Sequence, residues 1–190
     1  MNNSESVRVA EEIIGLYKKH GGAEYAGEKI TQLEHMVQSA QLAAGQGYEE
    51  DVILAAFLHD IGHICASAEG EKGMDGFGVK DHEEIGADFL RQKGFSKKVV
   101  RLVESHVEAK RYLTYKYPEY YDQLSEASKK TLEYQGGKME RGEAEAFEQY
   151  PLFHLIIQMR RWDEEAKVEN MPIPDLEYYK SMMIKHLQKQ

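Results

Sequence analysis

The chain has little with which to build a disulfide, a membrane anchor or a nucleic-acid-binding face. Its 190 residues include one cysteine, Cys65, so no intrachain disulfide can form and a reducing cytoplasm is expected. No apolar run follows Met1 as a secretory signal would require. The longest apolar block, Val52 to Leu58, falls short of the roughly 18–20 residues that cross a bilayer, so a soluble protein without membrane contact is expected. Positive charge is also in deficit. With 24 Lys and Arg against 33 Asp and Glu the net charge is −9, which argues against a broad phosphate-binding face for nucleic acid. Any anion must then be met by a small, local group of cations. There is no repeat, low-complexity tract or linker, and the length suits one domain, residues 1–190, with its own core.

What is present is helical. Apolar residues recur at three-to-four spacing, as in Val9, Ile13, Leu16 and again in Ile30, Leu33, Val37, Ala40, and no strand-like alternation stands out. Gly21-Gly22, Gly45, Gly47, Gly94, Gly136-Gly137 and Pro172 follow helical runs and mark their ends. These stops give an all-α bundle of about seven or eight helices near residues 5–19, 28–44, 50–64, 82–93, 96–112, 126–135, 152–166 and 175–188, with 141–149 either a further element or part of a loop. The glycine-rich run from Cys65 to Asp81 reads as a surface crossing that could serve as a lid.

Four histidines and two aspartates are distributed along these helices as His35, His59-Asp60, His82, His106 and Asp163. The intervals of 23 residues from His59 to His82 and 24 from His82 to His106 put each imidazole on its own helix. In Leu58-His59-Asp60-Ile61-Gly62-His63 an apolar helix delivers an imidazole and a carboxylate side by side, which is costly to bury without a compensating cation. His63 would lie on the same helix face, above the same pocket. Any one histidine alone is better explained as a hydrogen-bonded core residue; the set together is better explained as metal ligands. Imidazole and carboxylate donors favour iron, manganese or zinc over calcium or magnesium, and the lack of thiolates argues against structural zinc. Six donors are too many for one catalytic ion. With Asp60 bridging, His35, His59 and Asp163 would hold one ion and His82 and His106 the other. Lys110, four residues after His106, and Arg160, three before Asp163, would share a face with their ligands; each pairing is also an ordinary surface pattern if the ligands are not ligands.

The order His, His-Asp, His, His, Asp resembles the dinuclear branch of the HD-domain superfamily, which includes metal-dependent phosphohydrolases and the diiron enzyme myo-inositol oxygenase. That pattern leaves hydrolase and oxygenase open. The surrounding words Tyr25-Ala26-Gly27-Glu28, Gln32-Leu33-Glu34-His35, Leu58 to His63, His82-Glu83, Lys110-Arg111-Tyr112-Leu113, Thr131 to Gly137 and Arg160-Arg161-Trp162-Asp163-Glu164 are similar to those of the PhnZ-type organophosphonate oxygenases, along almost the whole chain.

The resemblance implies an HD-domain helical bundle with a buried dinuclear site holding two irons, Fe(II) and Fe(III). It also implies use of dioxygen to cleave the carbon–phosphorus bond of a 1-hydroxy-2-aminoethylphosphonate. Phosphate and glycine would be released, or glycine betaine if the nitrogen is trimethylated, in phosphonate catabolism after a separate hydroxylase installs the hydroxyl. Carried over position by position, the metal ligands are His35, His59, Asp60, His82, His106 and Asp163, and His63, Lys110, Ser128, Gln135 and Arg160 form the phosphonate pocket. Tyr25 would occupy an iron site until substrate displaces it, and Glu28 would sense the substrate's ammonium. Tyr25 and Glu28 are three apart, as one helical turn would present them, although without the resemblance Glu28 reads as a solvated helix charge. The ring-rich run Tyr112, Tyr115, Tyr117, Tyr120, Tyr121 raises the idea of an aromatic cage for a trimethylated nitrogen, with ordinary packing the commoner role. A dinuclear phosphohydrolase and a ligand-sensing HD module are the other readings; the second is disfavoured because no ligand is missing.

Overall fold

Local chemistry sets the helix boundaries. The computed structural model describes residues 1–25, 27–70, 79 and 81–190. Among the described residues are twelve α-helices and no strand beyond a bridge between Glu24 and Thr31. They are α1 (Asn3–His20), α2 (Gln32–Gly45), α3 (Glu50–Leu58), α4 (Ile61–Glu69), α5 (His82–Gln92), α6 (Lys97–Glu104), α7 (His106–Lys116), α8 (Pro118–Gln123), α9 (Glu126–Tyr134), α10 (Arg141–Glu148), α11 (Phe153–Glu165) and α12 (Glu177–Gln188).

Helix α1 opens with a capping box in which the Asn2 side chain accepts from the Glu5 N–H and Glu5 accepts from the Asn2 N–H. Helix α2 opens with another, Thr31 with Glu34, and therefore begins at Gln32 instead of near residue 28. The preceding residues form a turn closed by Tyr25 N–H to Ile30 O at 2.8 Å and Gln32 N–H to Ala23 O at 2.9 Å.

The expected helix over 50–64 is broken. It divides at His59-Asp60, where Asp60 leaves helical geometry (φ −103°, ψ 15°), into α3 and α4. The expected 96–112 helix divides likewise at Ser105 (φ −100°, ψ 0°) and runs on to Lys116. Helix α8 was not expected; Pro118 at its first turn, where no donor is needed, starts it. Helix α4 continues to Glu69 and stops at Gly70 in the left-handed region (φ 77°), so the supposed crossing does not start at Cys65. Most of that crossing, residues 71–78 and 80, lies outside the described residues, and the lid idea with it.

Helix α3 is the centre of the bundle, packed against α2, α6 and α12, while α4 lies on α1 and α5, and α11 on α2 and α7. All of Val52 to Leu58 is buried. Each of the larger side chains there contributes about 1.5–3 kcal/mol through removal from water. Phe57 stacks on Tyr179 of α12 (4.2 Å, 4°), and the Tyr17 hydroxyl donates to the Phe57 carbonyl at 2.9 Å, which fixes α1, α3 and α12 together. By length and hydropathy the span Glu50–Glu69 could cross a membrane, but 78% of it is buried among the other helices.

One close approach requires glycine. A Cβ on Gly62 would stand 1.8 Å from the His82 carbonyl oxygen and 2.9 Å from the Gly86 nitrogen. Without it, the start of α4 seats directly on the first turn of α5.

Candidate metal centre

The two helix breaks aim the donors. Successive residues on a continuous helix diverge by about 100°, so His59 and Asp60 face one point only because the backbone turns between them. His106 is the first residue of α7, turned inward by the break at Ser105, and His82 is the first of α5. His35 comes from the first turns of α2 and Asp163 from the last turns of α11. All six side chains are buried.

Each of the four histidines uses Nδ1 against a main-chain carbonyl: His35 to Ala166 (2.9 Å), His59 to Ala56 (2.8 Å), His82 to Val79 (3.1 Å) and His106 to Val103 (2.7 Å). A carbonyl can only accept, so Nδ1 carries the proton and the neutral ring presents a lone pair at Nε2. These lone pairs meet in twos, His35 with His59 at 3.1 Å and His82 with His106 at 3.0 Å. Facing lone pairs at that distance repel, and a cation between them is the natural relief.

Asp60 lies between the two pairs. Its Oδ2 is 3.6 Å from His35 Nε2 and 3.5 Å from His59 Nε2, and its Oδ1 is 3.4 Å from both His82 and His106 Nε2. Asp163 Oδ1 joins the first pair, 3.2 Å from His35 Nε2 and 4.0 Å from His59 Nε2. Bonds of about 2.0–2.2 Å to one ion put adjacent donors about 3 Å apart and opposed donors about 4 Å apart. The observed distances fit one ion per pair, with the Asp60 carboxylate spanning both.

Charge points the same way. Burial acts to raise both aspartates, but the surrounding imidazoles, His59 first, hold Asp60 well below the usual carboxylate range, and Arg160 followed by His35 does the same for Asp163. Burial pushes His59 down to about 4. Burial acts to lower His106 as well, but the Asp60 carboxylate beside it raises it; with Arg160 offsetting Asp163, the charge left for a metal to balance centres on Asp60.

Around this cluster the expected pocket residues are unevenly placed. His63 stacks on His82 (3.9 Å, 17°) and its Nδ1 accepts from the Val79 N–H at 3.1 Å, so Nε2 carries the ring proton; burial pushes it down to about 3. It stays over the same pocket as His59, though through the turn at Asp60 and not along one helix. A metal-sized grouping of Asp60, His63 and His82 also exists, so His63 lies close enough to be a donor itself.

Arg160 is buried and donates through one Nη to Asp163 and through Nε to the Tyr120 hydroxyl (2.9 Å) and Glu164 (3.0 Å). Lys110, only 4% exposed, donates to Thr131 Oγ1 at 2.9 Å, and burial, then Arg160, lowers it to about 7. That contact brings α9 over the site. Ser128 and Thr131 share one face of α9, Gln135 caps its C-terminal end, and the buried Gln135 Oε1 has no partner among the described residues. Among the described residues no hydrogen bond links the Ser128 or Gln135 side chain to the His/Asp cluster.

Tyr25 stacks on His35 (3.9 Å, 18°) and its hydroxyl donates to Asp163 Oδ1 at 3.3 Å. Tyr25 and Glu28 are adjacent in the turn before α2, not on a helix: the Glu28 N–H bonds the Tyr25 carbonyl at 2.8 Å. Glu28 pairs with Lys167 at 2.7 Å. Among the described residues the tyrosines of the run have separate surroundings. Tyr112 bonds Glu148, Tyr120 bonds Arg160 and Glu164, and Tyr117 and Tyr121 are exposed. Thr131, Glu164 and Lys167 were given no role from sequence, and Tyr120 only that of a cage candidate. The spacing Ser128, Thr131, Gln135 was a usable signal for Thr131; the others depend on contacts between distant segments.

A family model described as the HD domain matches residues 33–135. The chain is 44% identical over 187 residues to an uncharacterised protein of Acanthamoeba polyphaga mimivirus, covering 98% of this chain and 85% of that one. It is 40% identical over 181 residues to the [1-hydroxy-2-(trimethylamino)ethyl]phosphonate dioxygenase (glycine-betaine-forming) of Leisingera caerulea, covering 95% and 91%. It is 41% identical over 166 residues to the hydroxymethylphosphonate dioxygenase of Gimesia maris, covering 86% and 81%.

Proposed function

We propose, from the premise that this chain belongs to the HD-domain family and is of the PhnZ type within it, that it is a diiron oxygenase cleaving the carbon–phosphorus bond of a 1-hydroxyphosphonate with dioxygen. The observation that carries the reading is the pairing of four Nε2 lone pairs across the two oxygens of Asp60. His35, His59, Asp163 and Asp60 Oδ2 would hold one iron, and His82, His106 and Asp60 Oδ1 the other. Neutral imidazole and carboxylate without thiolate suits iron, and in this proposal the pair is mixed-valent, Fe(II)/Fe(III). When bound, the irons supply the electron exchange with dioxygen that water-activating chemistry lacks.

The chain's residues bind and orient. Lys110 and Arg160 supply the local positive charge that the acidic surface lacks, and Arg160 retains its second Nη for a phosphonate oxygen. The Nε2–H of His63 and the Ser128, Thr131 and Gln135 side chains add neutral hydrogen-bonding groups. Tyr25, held on His35, covers the first metal position and moves away to admit substrate. The reaction balances with one O2 per turnover: the hydroxyl-bearing carbon becomes a carboxylate and phosphorus leaves as orthophosphate. A primary amine at carbon 2 gives glycine, and a trimethylated one gives glycine betaine. The hydroxyl must come from a separate hydroxylase acting earlier. Arg160 and Asp163 lie beyond the segment matched by the family model, which supports treating the whole chain as one catalytic unit.

Phosphate release from a 1-hydroxyphosphonate by iron-loaded protein, measured in air and under strict anaerobiosis, tests this reading. Release that requires oxygen is expected. Release at the same rate without oxygen would favour a dinuclear phosphohydrolase using the same ligands.

A further inference from the structure

Among the described residues, Glu164, Glu83 and Glu28 border the centre without belonging to the ligand set, and they differ in how firmly they are held. Glu164 accepts from both Tyr120 and Arg160. Glu83 has Oε2 buried, 3.4 Å from His82 Nδ1. Glu28, by contrast, has a single partner among the described residues, the Lys167 ammonium at 2.7 Å, and the two side chains are 24% and 23% exposed. A partly exposed pair of this kind is weak and open to exchange.

The position of Lys167 makes that exchange easy. Its main chain is fixed: the neighbouring Ala166 carbonyl accepts from His35 Nδ1 at 2.9 Å, and Val168 is bonded through both N–H and carbonyl to the Gln38 amide at 2.9 Å. Its side chain is not, being a flexible four-carbon stem with water within reach. The ammonium sits 5.9 Å from the centre of the Tyr25 ring, the same ring that stacks on His35 and donates to Asp163. Glu28 and Tyr25 are ends of one turn. The ion pair thus borders the residue that must move when a ligand reaches the first metal position.

We propose that Lys167 is the resident counter-ion of Glu28 and sets selectivity at carbon 2 of the substrate. A phosphonate carrying a cation there must displace Lys167 from Glu28, whereas one without a cation leaves the pair intact. This rests on the oxygenase reading above, because it presumes that a phosphonate is seated over the metal centre.

The test is binding, not turnover. Dissociation constants for hydroxymethylphosphonate and for (1-hydroxy-2-aminoethyl)phosphonate are measured by calorimetry on iron-loaded protein under anaerobic conditions. Lys167→Met is expected to tighten the ammonium-bearing ligand at least fivefold relative to hydroxymethylphosphonate, while Lys167→Arg leaves the ratio within twofold of wild type. Glu28→Gln shifts the ratio the opposite way. If Lys167→Met does not fold, Lys167→Gln takes its place. A ratio unchanged within twofold in the neutral variant, with both ligands bound by wild type, overturns the role of Lys167 and leaves the oxygenase reading standing. Wild-type protein that binds both ligands but releases phosphate from neither in air overturns the oxygenase reading alone. Binding of neither overturns both.

Discussion

Substituting Gly62 by alanine should damage the metal centre from a position that holds no ligand. The added Cβ would lie 1.8 Å from the His82 carbonyl oxygen, about half of an ordinary contact, and 2.7 Å from its carbon. Both of those atoms are backbone, so no side chain can rotate away, and α4 and α5 must separate by roughly 1.5 Å to restore van der Waals contact. Overpacking of this kind costs about 1–3 kcal/mol and more where backbone must move, which for a chain of this size lowers the melting temperature by about 2–12 °C. The larger consequence is local. Asp60 sits at the head of α4 and His82 at the head of α5, with Oδ1 and Nε2 now 3.4 Å apart. A displacement of that size pulls His82 away from the Asp60 and His106 donors, and misplacement by about 1 Å at a reacting centre costs on the order of a hundredfold in rate. Thermal unfolding, iron per chain and oxygen-dependent phosphate release measured together decide the matter. The expected result is a modest fall in stability with loss of close to one iron and at least a hundredfold loss of rate. Wild-type iron content and rate would refute the claim that this contact sets the second metal position.

His106→Ala removes one of the two lone pairs that meet at 3.0 Å and should cost one iron while circular dichroism stays near wild type, since apolar faces and not that ion supply most of the folding energy. Two irons per chain in that variant would exclude His106 as a ligand. Burial and Arg160 lower Lys110 to about 7, so its charge, and with it affinity for a phosphonate dianion, is full at lower pH and lost as pH rises through that value. Lys110→Arg should remove this decline when substrate affinity is followed from about pH 6 to pH 9; an identical decline in the variant would assign it to another group. Tyr120→Phe deletes the hydroxyl that receives Arg160 Nε and should raise KM for the phosphonate roughly five- to thirtyfold with a smaller change in kcat, equivalent to about 1–2 kcal/mol of lost orientation. Steady-state kinetics showing equal loss in both constants would indicate a general structural defect.

The helical class, the distribution of four imidazoles over separate helices and the position of His82 at a helix start were legible because apolar periodicity and spacing are local properties of the chain. The breaks at Asp60 and Ser105 were not. The helical apolar pattern runs through both without interruption, and only the convergence of His59 with Asp60 and of His106 with His82 requires the backbone to turn there. The turn carrying Tyr25 and Glu28 was misread as helix because the capping box at Thr31 competes with the apolar pattern that begins earlier, at Ile30. Arg160 and Lys110 drew notice through their spacing from Asp163 and His106, and their expected place in a phosphonate pocket came from the resemblance. Their partners Tyr120 and Thr131 come from α8 and α9, and Lys167 meets Glu28 across 139 residues, which no local pattern records.

The central claim is that Asp60 bridges two metal ions. Anomalous X-ray scattering at the iron edge, from crystals of iron-loaded protein, measures this directly. Two peaks about 3.5–4 Å apart are expected, one among His35, His59 and Asp163 and the other between His82 and His106, with one Asp60 oxygen directed at each. A single peak at full occupancy, or two peaks with Asp60 bound to only one, would contradict it.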